Sequence, residues 1–323
     1  MNFKVLYLTG LFTAGLSISA STAVAGGKIE TSCSDDVKIA CKTKDPEILN
    51  FRKEQIKKLY NGLIYPGPIE IMKDPAKAND IFQEGFVKGR VTPVGSFTDF
   101  NGVVEYFYAL AANPQNHVFD IKFTSVLADE DQASVTVDLA FCENTNTDCE
   151  GMTSYQKKKD TLTEIGYFVF NKQNKITFFD VVIPNLSEAK DAKNPIEKAG
   201  RIAGICAFLT VGHIDPITGE QKKGGTCTEY FDSRDDFGSN AKFLVIPGAA
   251  FVNCVAFMSS IPFGSYARAN SNSFTCRQTH ALLTPLRPEY HCAHTAFDGG
   301  GKCIDFPYET YYEPIEAAPG HGH

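Results

Sequence analysis

Apolar positions recur at two different periods along this chain, and the change of period organises it. Behind Asp45-Pro46, residues Leu49, Ile56, Leu59, Tyr60 and Leu63 fall at helical spacing. Asp suits a helix cap and Pro suits the first helical turn, so a helix is predicted from here to Tyr65-Pro66-Gly67-Pro68. A second short helix is predicted around 76–84. A third runs from about 101 to 112, with Val104, Phe107, Tyr108 and Ala111 on one face, and stops at Asn113-Pro114. The period then falls to two. In 117–127, Phe119, Ile121, Phe123 and Leu127 alternate with Asp120, Lys122 and Thr124. In 133–142, Val135, Val137, Leu139 and Phe141 alternate with Thr136 and Asp138. Two further strands, 161–170 and 175–183, are joined by the turn-like Asn171-Lys-Gln-Asn174.

Helices first and an antiparallel meander afterwards predict an α+β layer fold for residues 45–185. The element order, with Gly95-Ser-Phe-Thr-Asp-Phe-Asn-Gly102 leading into the aromatic third helix, resembles the NTF2-like (SnoaL-like, ketosteroid-isomerase-like) superfamily. That resemblance implies a curved sheet wrapped around helices to leave a conical pocket. It implies no single activity, because the fold hosts enzymes, carriers and assembly modules.

The first residues read differently. Lys4, an apolar run to Leu16 and Ala23-Val24-Ala25 before Gly26-Gly27 predict a cleavable export signal over 1–25. The run is too short to span a bilayer, and no later stretch supplies a membrane span. The expected location is therefore secreted or periplasmic. All ten cysteines lie beyond the signal, and an even count in an exported chain favours disulfides. Cys33 and Cys41, in an N-terminal extension over 26–44, look like a local pair. Cys142 and Cys149 flank an apparent hairpin tip. Cys206, Cys227, Cys254, Cys276, Cys292 and Cys303 crowd the last third, and their pairing is left open.

Pro184 to Pro195 is polar and proline-bracketed, which predicts a linker over 186–205. A disulfide-rich, loop-rich module over 206–312 and a tail over 313–323, ending Gly320-His-Gly-His323, complete the expected organisation. Asn185-Leu186-Ser187 fits the glycosylation pattern. The net charge of −7 and a single short basic run, Lys157-Lys158-Lys159, argue against nucleic acid as a partner.

Candidate chemistry falls in two places. Asp180 is a carboxylate in an otherwise apolar strand; facing a pocket, it would be desolvated and suited to proton transfer. Tyr60 and Tyr108 are candidate phenolic partners. The alternative is a strand aspartate held by a backbone or tyrosine donor. In the last third, Cys276-Arg-Gln-Thr-His280, His291-Cys-Ala-His294 and Gly299-Gly-Gly-Lys-Cys303 are similar to a C-terminal module of uncharacterised exported microbial proteins. His280, His291 and His294 could form a facial site for copper or zinc, or be held in a small core by disulfides and loop hydrogen bonds. Motifs for a P-loop, an EF-hand, a nucleophile elbow, H-E-x-x-H and covalent haem are absent or incomplete. With no cofactor required, the favoured role is an exported protein that binds an apolar small molecule in the cone. Proton transfer at Asp180, metal chemistry at the histidines and a non-catalytic interaction or virulence role are the alternatives.

Overall fold

The computed structural model describes residues 31–33, 35–36, 38, 40–112, 117–142, 160–215, 217–233, 235, 237 and 242–307. The expected signal, Cys149, the Lys157–Lys159 run and the 313–323 tail lie outside these residues.

Two short strands, β1 (Thr31–Ser32) and β2 (Lys42–Thr43), pair antiparallel beside the Cys33–Cys41 disulfide. Helix α1 (Pro46–Asn61) starts where its sequence signature lies, with the Asp45 carboxylate accepting from the Glu47 N–H. Its buried face carries Ile56, Leu59 and Tyr60. The prolines at 66 and 68 do not leave the chain irregular: α2 (Gly67–Lys73) follows, with Pro68 in its first turn, where a missing N–H costs nothing. The predicted helix around 76–84 is only a 3₁₀ turn over Pro75–Asp80. Helix α3 (Phe100–Tyr108) is capped by Asp99, which accepts from the Gly102 N–H.

The sheet is six-stranded, in the order β4-β3-β8-β7-β6-β5. Its meander comprises β5 (His117–Asp129), β6 (Gln132–Cys142), β7 (Asp160–Phe170) and β8 (Ile176–Val182). It is extended by β3 (Lys88–Thr92), parallel to β8, and β4 (Gly95–Phe97), antiparallel to β3. These two strands are additions to the predicted set; Lys88-Gly-Arg-Val-Thr is too polar to announce itself by alternation. Two register shifts in β5, at Val118/Asp120 and Phe123/Ser125, also break the simple alternation. As a result Val118 is fully buried and Leu127 is largely exposed.

The helices pack on one face of the sheet around Tyr60, Phe82, Phe107, Phe168 and Phe179. At Gly89 the fully buried Phe179 ring lies where a side chain would begin, an added Cβ coming within 2.0 Å of it. The architecture is the expected α+β helix-plus-sheet arrangement followed by a disulfide-rich module.

The expected linker is mostly helical. It holds α4 (Leu186–Lys190) and the start of α5 (Pro195–Thr210), where Asn194 caps and Pro195 occupies the first turn, the same signature as Asp45-Pro46. The module is less loop-rich than expected. A small hairpin, β9 (Gly212–Ile214) and β10 (Gln221–Lys223), follows α5. Three helices then follow: α6 (Ala250–Ser260), α7 (Phe274–Ala281) and α8 (Pro288–Thr295). A second core gathers around Phe231, Phe237, Phe257 and Phe274. Cys206 pairs with Cys254, Cys227 with Cys292 and Cys276 with Cys303; Cys142 is also disulfide-bonded. These bonds indicate an oxidising environment. Among the described residues, no helix is long and apolar enough to cross a membrane.

The two parts are joined by specific contacts. Asp191 accepts from the Ser265 hydroxyl and the Tyr266 N–H at 2.5 and 2.6 Å, and Lys302 donates to the Ser96 carbonyl at 3.3 Å. Leu283 of the module belongs to the core of the sheet domain.

Candidate functional site

Two sites lie where the parts meet, and Tyr106 belongs to both. The first is a cavity of about 370 Å³. Its walls include Leu63 from the end of α1, Phe107 and Leu110 from α3 and beyond, and Leu139 and Leu162 from the sheet. The module contributes Tyr266, Gln278, Thr279 and Leu282, and the α4–α5 region contributes Lys190 and Arg201. The last two are neighbours, the Arg201 guanidinium donating to the Lys190 carbonyl at 2.6 Å.

The acid among the lining residues is Glu164, on β7 and 9% exposed. It occupies an inward position in the series Leu162, Glu164, Gly166, Phe168. Burial pushes its carboxyl up to about 7, against the opposing influence of the Tyr60 hydroxyl beside it. That hydroxyl is near Glu164 without reaching hydrogen-bonding geometry, and burial followed by the Glu164 charge drives its own pKa well above the usual range.

Asp180 does not belong to this cavity. In β8 the inward face carries Phe179 and Val181, and Asp180 lies on the opposite face with Phe178 and Val182. There it forms a two-point ion pair with Arg90, its cross-strand partner on β3, the Arg90 Nε lying 3.1 Å from one carboxylate oxygen. The reason is the period of two: the expected pocket face and the real core face of β8 are interchanged, because both are apolar in sequence. Tyr60 and Tyr108 are fully buried in the helix layer, so the expected Asp180–tyrosine constellation is not assembled. The Tyr108 hydroxyl has no hydrogen-bond partner among the described residues, and burial raises its pKa.

The second site is the histidine cluster. His291 and His294 project from one face of α8 at i, i+3, and His280 comes from the last turn of α7. Ring nitrogens of all three lie within 4.8 Å of one another, and the residues are 0%, 7% and 5% exposed, respectively. His280 Nδ1 is 3.2 Å from His294 Nδ1, 3.5 Å from His291 Nδ1 and 3.0 Å from the Tyr106 hydroxyl. The other His291 nitrogen, Nε2, is 3.2 Å from a Glu105 carboxylate oxygen, and Arg287 donates to the second oxygen at 3.2 Å. Burial, and then the Glu105 charge, push the Tyr106 phenol above its usual pKa.

The Gly299-Gly300-Gly301 turn completes the setting. Gly300 has a left-handed φ of 53° and sits against α8; an added Cβ would lie 2.9 Å from the His294 ring and 2.8 Å from the Ala293 carbonyl carbon. Only glycine fits both the conformation and the approach. Cys276 and Cys303 also lie close to His280, but they are bonded to each other.

Sequence reasoning placed the three histidines in one candidate group and missed Glu164, Glu105 and Tyr106. The available signals were an acid at an inward position of β7 and a lone charge in the otherwise uncharged helix Phe-Asn-Gly-Val-Val-Glu-Tyr-Phe-Tyr.

Residues 249–306 match the family model described as the BfoA family C-terminal domain, a stretch that contains all three histidines. No curated protein matches. Among solved structures, the chain is similar to a protein from Jannaschia assigned as a SnoaL-like polyketide cyclase. The identity is 11%, the match covers 47% of this chain and 98% of that one, and the TM-score is 0.33. A Kribbella flavida protein assigned as a ketosteroid isomerase matches at 11% identity over 46% and 84%, with a TM-score of 0.29. A de novo designed NTF2-fold protein matches at 15% identity over 44% and 88%, with a TM-score of 0.28.

Proposed function

We propose that this chain is an exported protein that binds an apolar small molecule in the cavity between the sheet domain and the module. One observation carries the reading: a predominantly apolar cavity of about 370 Å³ whose charged lining residues are Glu164 on the sheet side and Lys190 and Arg201 on the helical side. Ligand sites of this kind hold roughly 300–1,000 Å³ and use a small number of placed polar groups to orient the guest. The best-fitting guest is amphipathic, with an apolar body against Leu63, Phe107, Leu139 and Leu162. A neutral donor or acceptor on it would face Glu164, and an anionic end would face the two cations.

Glu164 also supports a second reading, in which the protein transfers a proton on the bound molecule. A carboxyl with a pKa of about 7 exists in both protonation states near neutrality, which suits general acid–base work.

The test is extraction and mass spectrometry of protein purified without detergent, followed by titration with a hydrophobic dye, a fatty acid and a sterol. Binding of at least one, abolished by Ala111→Phe in the cavity wall with the circular dichroism unchanged, is the expected result. A protein that carries nothing and binds none of the three overturns the proposal.

A further inference from the structure

The histidine cluster carries an inference independent of the cavity. We propose that His280, His291 and His294, with the Tyr106 hydroxyl as fourth donor, hold one divalent transition-metal ion, zinc or copper, between α3 and the helices α7 and α8.

The distances point this way. An imidazole Nδ1 has a single direction, in the ring plane, in which to give or accept a hydrogen bond. His280 Nδ1 nonetheless has three polar atoms around it, at 3.0, 3.2 and 3.5 Å. One proton cannot serve three such neighbours. A cation among them can, and the spacing suits it: metal–nitrogen bonds of about 2.0–2.1 Å in a tetrahedron put donor atoms about 3.3 Å apart. The ring nitrogens of the three histidines are mutually close, within 4.8 Å.

The surroundings point the same way. An Nε2–H of His291 donating to Glu105 directs the His291 Nδ1 lone pair toward the cluster. Glu105 is 4% exposed and is itself held by Arg287. A carboxylate–histidine pair behind a ligand fixes the tautomer and the ring orientation and raises the basicity of the donor nitrogen. Gly300 seats the His294 ring from the other side. The Cys276–Cys303 disulfide removes the nearby sulfurs as donors, leaving imidazole and phenol, ligands that suit zinc and copper.

Four protein donors at near-complete burial make a closed site, the structural rather than the open catalytic type. The ion joins two elements the backbone does not connect locally, Tyr106 being 174 residues from His280. Its role is to lock the module onto the sheet domain. Binding would release the Tyr106 proton to solvent as the phenol oxygen becomes a ligand.

The experiment uses the full-length, untagged chain and a variant with the tail histidines removed, H321A/H323A. Elemental analysis after dialysis should find one zinc or copper ion per chain in both. Chelator-treated protein should melt at a lower temperature and bind added Co²⁺ with the visible absorption of a tetrahedral site. Glu105→Gln, which leaves every proposed ligand in place, should weaken Co²⁺ binding by about 10- to 100-fold. Tyr106→Phe, which removes a donor with little change of shape, should alter the Co²⁺ spectrum. Because neither change creates a large cavity, the test survives if a histidine variant fails to fold. Folded protein that retains no ion and gives only the spectrum of aqueous Co²⁺ overturns the proposal. So does binding that disappears with the tail histidines and ignores Glu105→Gln and Tyr106→Phe.

Discussion

Replacing Glu164 by glutamine isolates the cost of burying an acid in the cavity wall. The change keeps side-chain shape and removes only the capacity to ionise. In the folded chain the carboxyl titrates at about 7, and its ordinary value is 4.5. The folded protein therefore holds the proton more tightly than the unfolded chain, and this residue makes stability fall as pH rises from about 4.5 to about 7, with no further change above. The difference of roughly 2.5 pKa units, at 1.36 kcal/mol each, amounts to about 3 kcal/mol of destabilisation at pH 8. Denaturant unfolding of both proteins at pH 5, 6, 7 and 8 is the assay. Below about pH 4 the two should be nearly equally stable, and at pH 5 the gap should be just under about 1 kcal/mol. The glutamine variant should then gain on the parent with each step and exceed it by up to about 3 kcal/mol at pH 8. Subtracting one curve from the other cancels the histidines and every other titrating group the two share. Parallel curves would refute the reasoning and place Glu164 in contact with bulk water.

Three further variants probe other parts of the structure. Asp180→Asn should leave dye or lipid binding unchanged and cost on the order of 1 kcal/mol in unfolding, because it breaks only the outer-face pair with Arg90. Serine at both Cys206 and Cys254, whose bond spans a separation of 48 residues, should lower stability by about 4 kcal/mol on chain-entropy grounds, measurable as a lower urea midpoint. Arg277→Met should cost about 3 kcal/mol, as the buried guanidinium bonds the carbonyls of Ser273, Ala296 and Phe297 and the variant would lose all three of these bonds; an effect below about 1 kcal/mol would show that water replaces it.

The parts of this structure that depend on neighbours in sequence were legible from it. The α1 start at Asp45-Pro46, the four meander strands and the grouping of His280 with His291 and His294 all rest on short-range spacing. What escaped depends on which element covers which. The helical spacing puts Val104, Phe107, Tyr108 and Ala111 on one face of α3 and assigns no partner to Glu105 and Tyr106. The module packs over that other side and buries both. A helix apolar nearly all round is the sign of such double covering. Asp180 lies on the outer face for a related reason: β8 is apolar on both faces, so alternation alone does not orient it. The helices in the segment expected as a linker were hidden by its polar composition, although Asn194-Pro195 repeats the start signal of α1.

Tyr106 has its ring in the cavity wall and its hydroxyl on His280. One side chain would therefore answer to both proposed occupants. Whatever factor an ion adds to or subtracts from the affinity for a cavity guest, the guest must return to the ion, since the two binding free energies share one thermodynamic cycle. A phenol drawn toward a cation reshapes the wall that the guest touches, and a guest that presses on the ring shifts the donor. Were both proposed sites filled, the supply of the metal would set how firmly the cavity keeps its guest, and loss of the guest would loosen or tighten the hold on the metal.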